Sequence, residues 1–109
     1  MGNPRYSDGN ARRKLRNRLK AEGRGCWICR AFGRPDHIDY DLPARHPRSF
    51  EVDELLPVSK GGSPFDYYNV DATHRSCNEW RGNKSVDEVL AIAGKALEKA
   101  APLPQPWDF

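Results

Sequence analysis

The chain has 109 residues, 38% of them hydrophobic and 30% charged, which suits one domain with a thin apolar core that needs a staple. No apolar run approaches the length that spans a bilayer, and the basic N-terminus lacks the apolar stretch of a secretory signal, so a cytoplasmic address is expected. The net charge of +3 is uneven: Arg5, Arg12, Arg13, Lys14, Arg16, Arg18, Lys20, Arg24, Arg30 and Arg34 face only Asp8 and Glu22, while the remainder is net acidic. A basic arm joined to an acidic body suits phosphate contacts, although a solvated helix face carries the same charges.

Residues 8–22 place Ala11, Leu15 and Leu19 four apart without proline, predicting a helix with one narrow apolar stripe, ended by Gly23. Cys26-Trp27-Ile28-Cys29 reads as a short turn, and the Pro-, Gly- and Asp-rich stretch from Gly33 to Pro47 as loop. Phe50 and Val52 alternate with Glu51 and Asp53, which predicts a strand, and Lys60-Gly61-Gly62-Ser63-Pro64 is a turn signal. A second strand is expected from Tyr68 to Ala72, then a helix beginning near Thr73 or His74 and running through Cys77 and Trp80. Ser85-Val86-Asp87-Glu88 is a capping box, and Val86, Val89, Leu90, Ala93 and Leu97 continue as a helical stripe. Pro102, Pro104 and Pro106 exclude further helix from the tail, which ends Trp107-Asp108-Phe109.

The expected class is therefore α+β. Its segments are a basic helix over 1–23, a central domain over 24–84, a helix over 85–101 and a Pro-rich tail over 102–109. Trp27, Trp80 and the Tyr67-Tyr68 pair are expected to pack in the core and around the cysteine turn rather than to stack on bases.

Three cysteines cannot all pair, and in a reducing compartment C-x-x-C reads as metal ligands or a redox pair. Cys26-x-x-Cys29 and His74-x-x-Cys77 give four ligands in two half-sites, each delivering two from one turn, the set that tetrahedral structural zinc requires. The spacing excludes a finger whose second half-site is H-x-x-x-H. A redox role needs a βαβ context that the following loop does not offer, leaving buried thiols beside an ordinary histidine as the alternative to zinc.

The stretch Phe50-Glu51-Val52-Asp53-Glu54-Leu55-Leu56-Pro57-Val58-Ser59-Lys60-Gly61-Gly62, then Asn69, then His74-Arg75-Ser76-Cys77-Asn78 with Gly82-Asn83-Lys84, resembles the HNH (ββα-metal) endonucleases over roughly residues 24–84. The resemblance implies a small ββα-metal domain stapled by structural zinc, hydrolysing DNA phosphodiesters with Mg²⁺ or Mn²⁺. It implies Asp53 and Asn78 as oxygen ligands of that cation and Asn69 as the residue that orients the base. Arg81 and Lys84 would hold the phosphate, and Arg12, Arg13, Arg16 and Lys20 would grip the backbone of double-stranded DNA.

One position departs from the family: Glu54 stands where the general-base histidine is usual. A carboxylate is the weaker base, with an ordinary pKa of about 4.3 against about 6.5 for imidazole, unless burial raises it. Glu54 as base or extra ligand, a histidine brought in from His37 or His46, and a degenerate DNA-binding site all remain open at this level. Asp36-His37-Ile38 copies the family's triplet without the Pro and Gly-Gly that should follow, and reads as loop.

The leading expectation is a nuclease or nickase of low sequence specificity, since no element here reads bases. Small free-standing family members resemble those encoded by tailed phages beside DNA-packaging genes, which implies the large terminase subunit as partner and the host cytoplasm as location. The competing classes are a non-catalytic zinc-containing DNA-binding module and a zinc-stapled protein-interaction domain.

Overall fold

A computed structural model describes residues 4–100 of the chain, and the side chains from residue 9 onward. The expected Pro-rich tail over 102–109 lies outside the described residues. Helix α1 (Pro4–Ala21) starts at a proline, whose fixed φ and missing N–H suit the first helical position, and so begins earlier than the apolar stripe alone indicates. Leu15 and Leu19 are its buried positions. Gly23, at φ 65°, ends the helical run in the left-handed conformation that costs glycine little.

The cysteine turn is a helix rather than a bare turn. Helix α2 (Trp27–Ala31) is five residues long, and Cys26 caps it by accepting the Cys29 N–H at its sulfur, 3.4 Å away. After the long loop, strand β1 (Phe50–Glu54) pairs antiparallel with β2 (Val70–His74), Phe50 opposite His74 and Glu54 opposite Val70. The second strand starts later than expected because Asp66 caps a 3₁₀ turn over Tyr67–Asn69, its side chain accepting the Tyr68 N–H, so those residues are spent on the turn. The chain enters α3 (Arg75–Arg81) directly from β2, with His74 as the extended residue between them. Helix α4 (Val86–Lys99) starts at the expected cap: Ser85 Oγ accepts the Glu88 N–H at 3.1 Å.

All these elements share one apolar core. Leu15 and Leu19 of α1, Ile28 of α2, Ile38 of the loop, Phe50, Val70 and Ala72 of the sheet and Val89 of α4 form a single buried cluster. Each fully buried Leu or Ile contributes about 1.5–3 kcal/mol. A core of this size supports a small α+β domain but leaves the loop from Gly33 to Ser49 needing other anchors. None of the helices among the described residues is long and apolar enough to cross a membrane.

Strand alternation decides what β1 presents. Glu51 and Asp53 share the face toward α3, while Phe50, Val52 and Glu54 share the other, where Arg12 of α1 meets Glu54. Asp53 stands opposite Asp71 across the sheet, a like-charge pair. Arginines offset it: Arg81 on Asp53, Arg24 and Arg30 on Asp71.

Candidate metal cluster and acidic seam

The ligand atoms of Cys26, Cys29, His74 and Cys77 all lie within 4.8 Å of one another, three of the residues buried. The α2 N-terminus supplies the first pair, and the β2–α3 junction supplies the second. Cys29 Sγ is 3.4 Å from His74 Nδ1 and 3.6 Å from Cys77 Sγ, and Cys77 Sγ is 4.0 Å from His74 Nδ1. Zinc bonds of about 2.3 Å to sulfur and 2.0–2.1 Å to nitrogen place tetrahedral ligands about 3.5–3.8 Å apart, close to the three edges among Cys29, His74 and Cys77. The donor set fits a structural zinc.

The histidine tautomer fits as well. His74 Nε2 lies 2.9 Å from the His37 carbonyl oxygen, to which its N–H donates, leaving the Nδ1 lone pair toward the sulfurs. The loop triplet Asp36-His37-Ile38 thus has a structural use: the Asp36 carbonyl accepts the Cys26 N–H at 2.7 Å, the His37 carbonyl orients His74, and Ile38 is buried. Proton sharing among the thiols follows from their proximity. The hydrogen bond from Cys77 and the Cys29 N–H hold the Cys26 thiol at about 4, while Cys77 is pushed up by donating to Cys26 and Cys29 is pushed up by burial. A metal replaces those protons, and its binding releases them.

Beside the cluster runs an acidic seam between β1 and α3. Asp53 is 6% exposed and takes two donors on one oxygen: Trp27 Nε1–H at 2.8 Å and Arg81 Nη1–H at 2.5 Å, both on Oδ2. Burial pushes the Asp53 carboxyl above the ordinary aspartate value, against the pull of Trp27 and Arg81. One turn before Arg81, Asn78 donates its Nδ2–H to Glu51 Oε1 at 3.1 Å. Asp53 Oδ1 and Asn78 Oδ1 accept no hydrogen bond from the described residues.

Arg81 corrects the sequence-based expectation that it holds phosphate. It is 2% exposed, and besides Asp53 it donates to the carbonyls of Glu54 at 2.9 Å, Leu55 at 2.7 Å and Lys84 at 3.0 Å. Its guanidinium is consumed inside the fold, where it ties the end of β1 to α3. Lys84 is likewise engaged locally, its ammonium 3.0 Å from the Trp80 carbonyl and over the Trp80 ring.

Glu54 does not join Asp53 on the seam; it turns to the opposite face and pairs with Arg12 at 3.2 Å. Asn69 does not reach it. The Asn69 amide accepts the Leu56 N–H at 2.9 Å and donates to the carbonyls of Leu56 at 2.9 Å and Ser63 at 3.0 Å, so it pins the loop that follows β1. Gly62 fits beneath this amide only because it lacks a Cβ, which would stand 1.7 Å from the Leu56 oxygen. Neither remaining histidine enters the seam: His46 Nδ1 accepts the Arg48 N–H at 3.0 Å, and the His37 side chain is exposed while its carbonyl holds His74.

A cleft of about 420 Å³ lies between α1 and β1, lined by Arg12, Arg13 and Arg16 on one side and Glu51 and Glu54 on the other. Lys20, further along α1, is exposed. Glu51 is the functional candidate that sequence reasoning missed, because it served there only as the polar half of an alternating strand. Its signal was its position two residues before Asp53, on the same face. Of the aromatics expected in the interior, Trp27 is buried, whereas Trp80 is 41% and Tyr68 86% exposed.

No family model, curated protein or solved structure matches this chain.

Proposed function

We propose that the chain is a metal-dependent DNA nuclease of the ββα-metal, or HNH, type, acting at the β1–α3 seam, with its basic helix on the other face of β1. The observation that carries this reading is the placement of Asp53 and Asn78 on one seam, each with an oxygen free of donors among the described residues, next to a Cys₃His cluster that fixes where β2 becomes α3. Two such oxygens, with Glu51 beside Asn78, make a donor set of the hard kind that Mg²⁺ and Mn²⁺ prefer. A divalent ion held there supplies charge stabilisation to a phosphoryl oxygen and lowers the pKa of a bound water.

The chain's own residues do the rest. Trp27 and Arg81 hold the Asp53 carboxylate by Oδ2 and leave Oδ1 without a donor among the described residues. Glu51 accepts from the Asn78 amide nitrogen and so fixes the amide's orientation, leaving its Oδ1 without a donor among the described residues. Glu54, in the position of the family's histidine, is the proton acceptor by resemblance alone, since its side chain pairs with Arg12 on the face of β1 opposite the seam. Arg13 and Arg16 carry no carboxylate partner among the described residues and are offered to the backbone of the duplex. The large terminase subunit stays the proposed partner by resemblance alone.

A second reading has its own support. Arg81 already neutralises Asp53, and Arg12 neutralises Glu54, the arrangement expected of a degenerate site that binds DNA without cutting it. Plasmid nicking separates the two. The nuclease relaxes supercoiled DNA with Mg²⁺ or Mn²⁺, and Asn78→Ala and Glu51→Gln abolish or reduce this by about a hundredfold or more while retaining zinc. Supercoiled DNA left intact under every cation, with binding retained, would establish the second reading.

A further inference from the structure

A second group of arginines flanks the Cys₃His cluster. Arg34 follows Gly33, at φ 68°, and its N–H donates to the Cys29 carbonyl at 2.9 Å. Arg48 follows Pro47, whose carbonyl accepts the Ser76 N–H at 2.8 Å, and the Arg48 N–H donates to His46 Nδ1 at 3.0 Å. Both arginines therefore leave from backbone pinned beside the metal ligands. Between them lies a cleft of about 330 Å³ that also includes Ser76 and the ligands Cys29 and Cys77 and has no carboxylate in its lining.

The charges here have no carboxylate to neutralise them, although Arg48 Nη2 lies 3.5 Å from His74 Nε2. Arg12, Arg24, Arg30, Arg75 and Arg81 each have a carboxylate within 4.0 Å, Arg75 through Glu79 at 3.0 Å on the same helix. Neither Arg34 nor Arg48 has one among the described residues. Arg34 lies over the Phe32 ring, 4.6 Å from its centre, which holds the guanidinium in place without neutralising it.

We propose that this cleft is a second nucleic-acid contact, holding a backbone phosphodiester between the Arg34 and Arg48 guanidiniums with the Ser76 hydroxyl as a further donor. The inference rests on the DNA-directed reading above but not on cleavage. Guanidinium forks match phosphate oxygens in geometry. Among the described residues without carboxylate partners, Arg13 and Arg16 stand on α1, and an extended polyanion is the ligand that can use both groups.

The test is fluorescence anisotropy of a labelled DNA duplex on the zinc-loaded chain, titrated with NaCl in the absence of Mg²⁺ and Mn²⁺. Arg34→Gln/Arg48→Gln is expected to lower the slope of log K against log salt by about 1–2 and to weaken low-salt binding roughly tenfold, with zinc content and Tm unchanged. Arg34→Lys/Arg48→Lys should restore most of the slope. An unchanged slope in the Gln variant would overturn the proposal even if the wild type binds and cuts DNA. Loss of zinc in the Gln variant, restored in the Lys variant, would assign the arginines to counter-charge for the thiolates instead. Equal competition by poly-glutamate would assign the cleft to an acidic peptide, and saturation by inorganic phosphate far below the salt used would assign it to free phosphate.

Discussion

Replacing Arg81 by Met removes a guanidinium that is buried, 2.5 Å from Asp53 and bonded to three carbonyls. Side-chain volume is largely kept, so the main loss is electrostatic: Asp53 stays in a site where its side chain is 8% exposed with Trp27 as its remaining donor. Breaking a buried pair by deleting one member costs about 3–5 kcal/mol, a large share of the roughly 5–15 kcal/mol of a small domain. Urea unfolding in excess zinc should show that loss as a lower midpoint at unchanged m. Arg81→Met/Asp53→Leu removes both charges and should recover at least about 1.5 kcal/mol of it, because the orphaned carboxylate is gone.

The pH dependence gives an independent reading. Burial already raises the folded-state pKa of Asp53, and loss of Arg81 raises it further. A carboxyl whose folded pKa lies above its unfolded value destabilises increasingly as pH rises from the unfolded value to the folded one, and no further above it. The gap between wild type and Arg81→Met should therefore narrow as pH falls from neutrality toward the ordinary carboxylate range, where the variant's Asp53 takes up a proton on folding. A loss below about 1 kcal/mol, or a gap independent of pH, would refute the description of Arg81 as the counter-ion that keeps Asp53 charged.

Chelation of the Cys₃His metal should unfold the chain, since structural zinc contributes about 10–16 kcal/mol in small domains, more than the rest of the fold supplies; retention of the native circular dichroism in a strong chelator would contradict this. Cobalt substituted for zinc should give the visible bands of tetrahedral S₃N coordination, and octahedral bands would exclude the four ligands named. Gly62→Ala should destabilise by more than about 2 kcal/mol, because a Cβ at 1.7 Å from the Leu56 oxygen forces the loop off the Asn69 amide; thermal denaturation reads it, and an unchanged Tm would show the loop is not built as described. Asn69→Ala, which deletes three hydrogen bonds at the same loop, should cost about 1–3 kcal/mol, and a loss confined to nicking activity at unchanged stability would instead make Asn69 a residue of the chemistry.

Which parts of this protein could be read from its sequence depends on how local the determining physics is. The α1 and α4 stripes and the Ser85 cap are set within four residues, and both helices form where that pattern lies. The two half-sites of the metal cluster were legible because C-x-x-C and H-x-x-C spacing delivers ligands from single turns, whatever the intervening loop does. The start of β2 was not, since the Asp66 side chain competes for Tyr67–Asn69 through one local hydrogen bond that strand propensity does not register. Arg81 was misread for a longer-range reason. An arginine near a helix end looks solvated until a strand brings Asp53 and two carbonyls to meet it. The same limitation hid Glu51, whose value depends on Asn78 arriving from α3.

Crystals of the zinc-loaded chain soaked in Mn²⁺ and measured at the zinc and manganese absorption edges test the account most directly. A zinc peak among Cys26, Cys29, His74 and Cys77 and a manganese peak within ligand distance of Asp53 and Asn78 are the predicted pair. Zinc at the cluster with no manganese on the seam, at a concentration that saturates authentic nucleases, would contradict the nuclease assignment and leave a zinc-stapled DNA-binding domain.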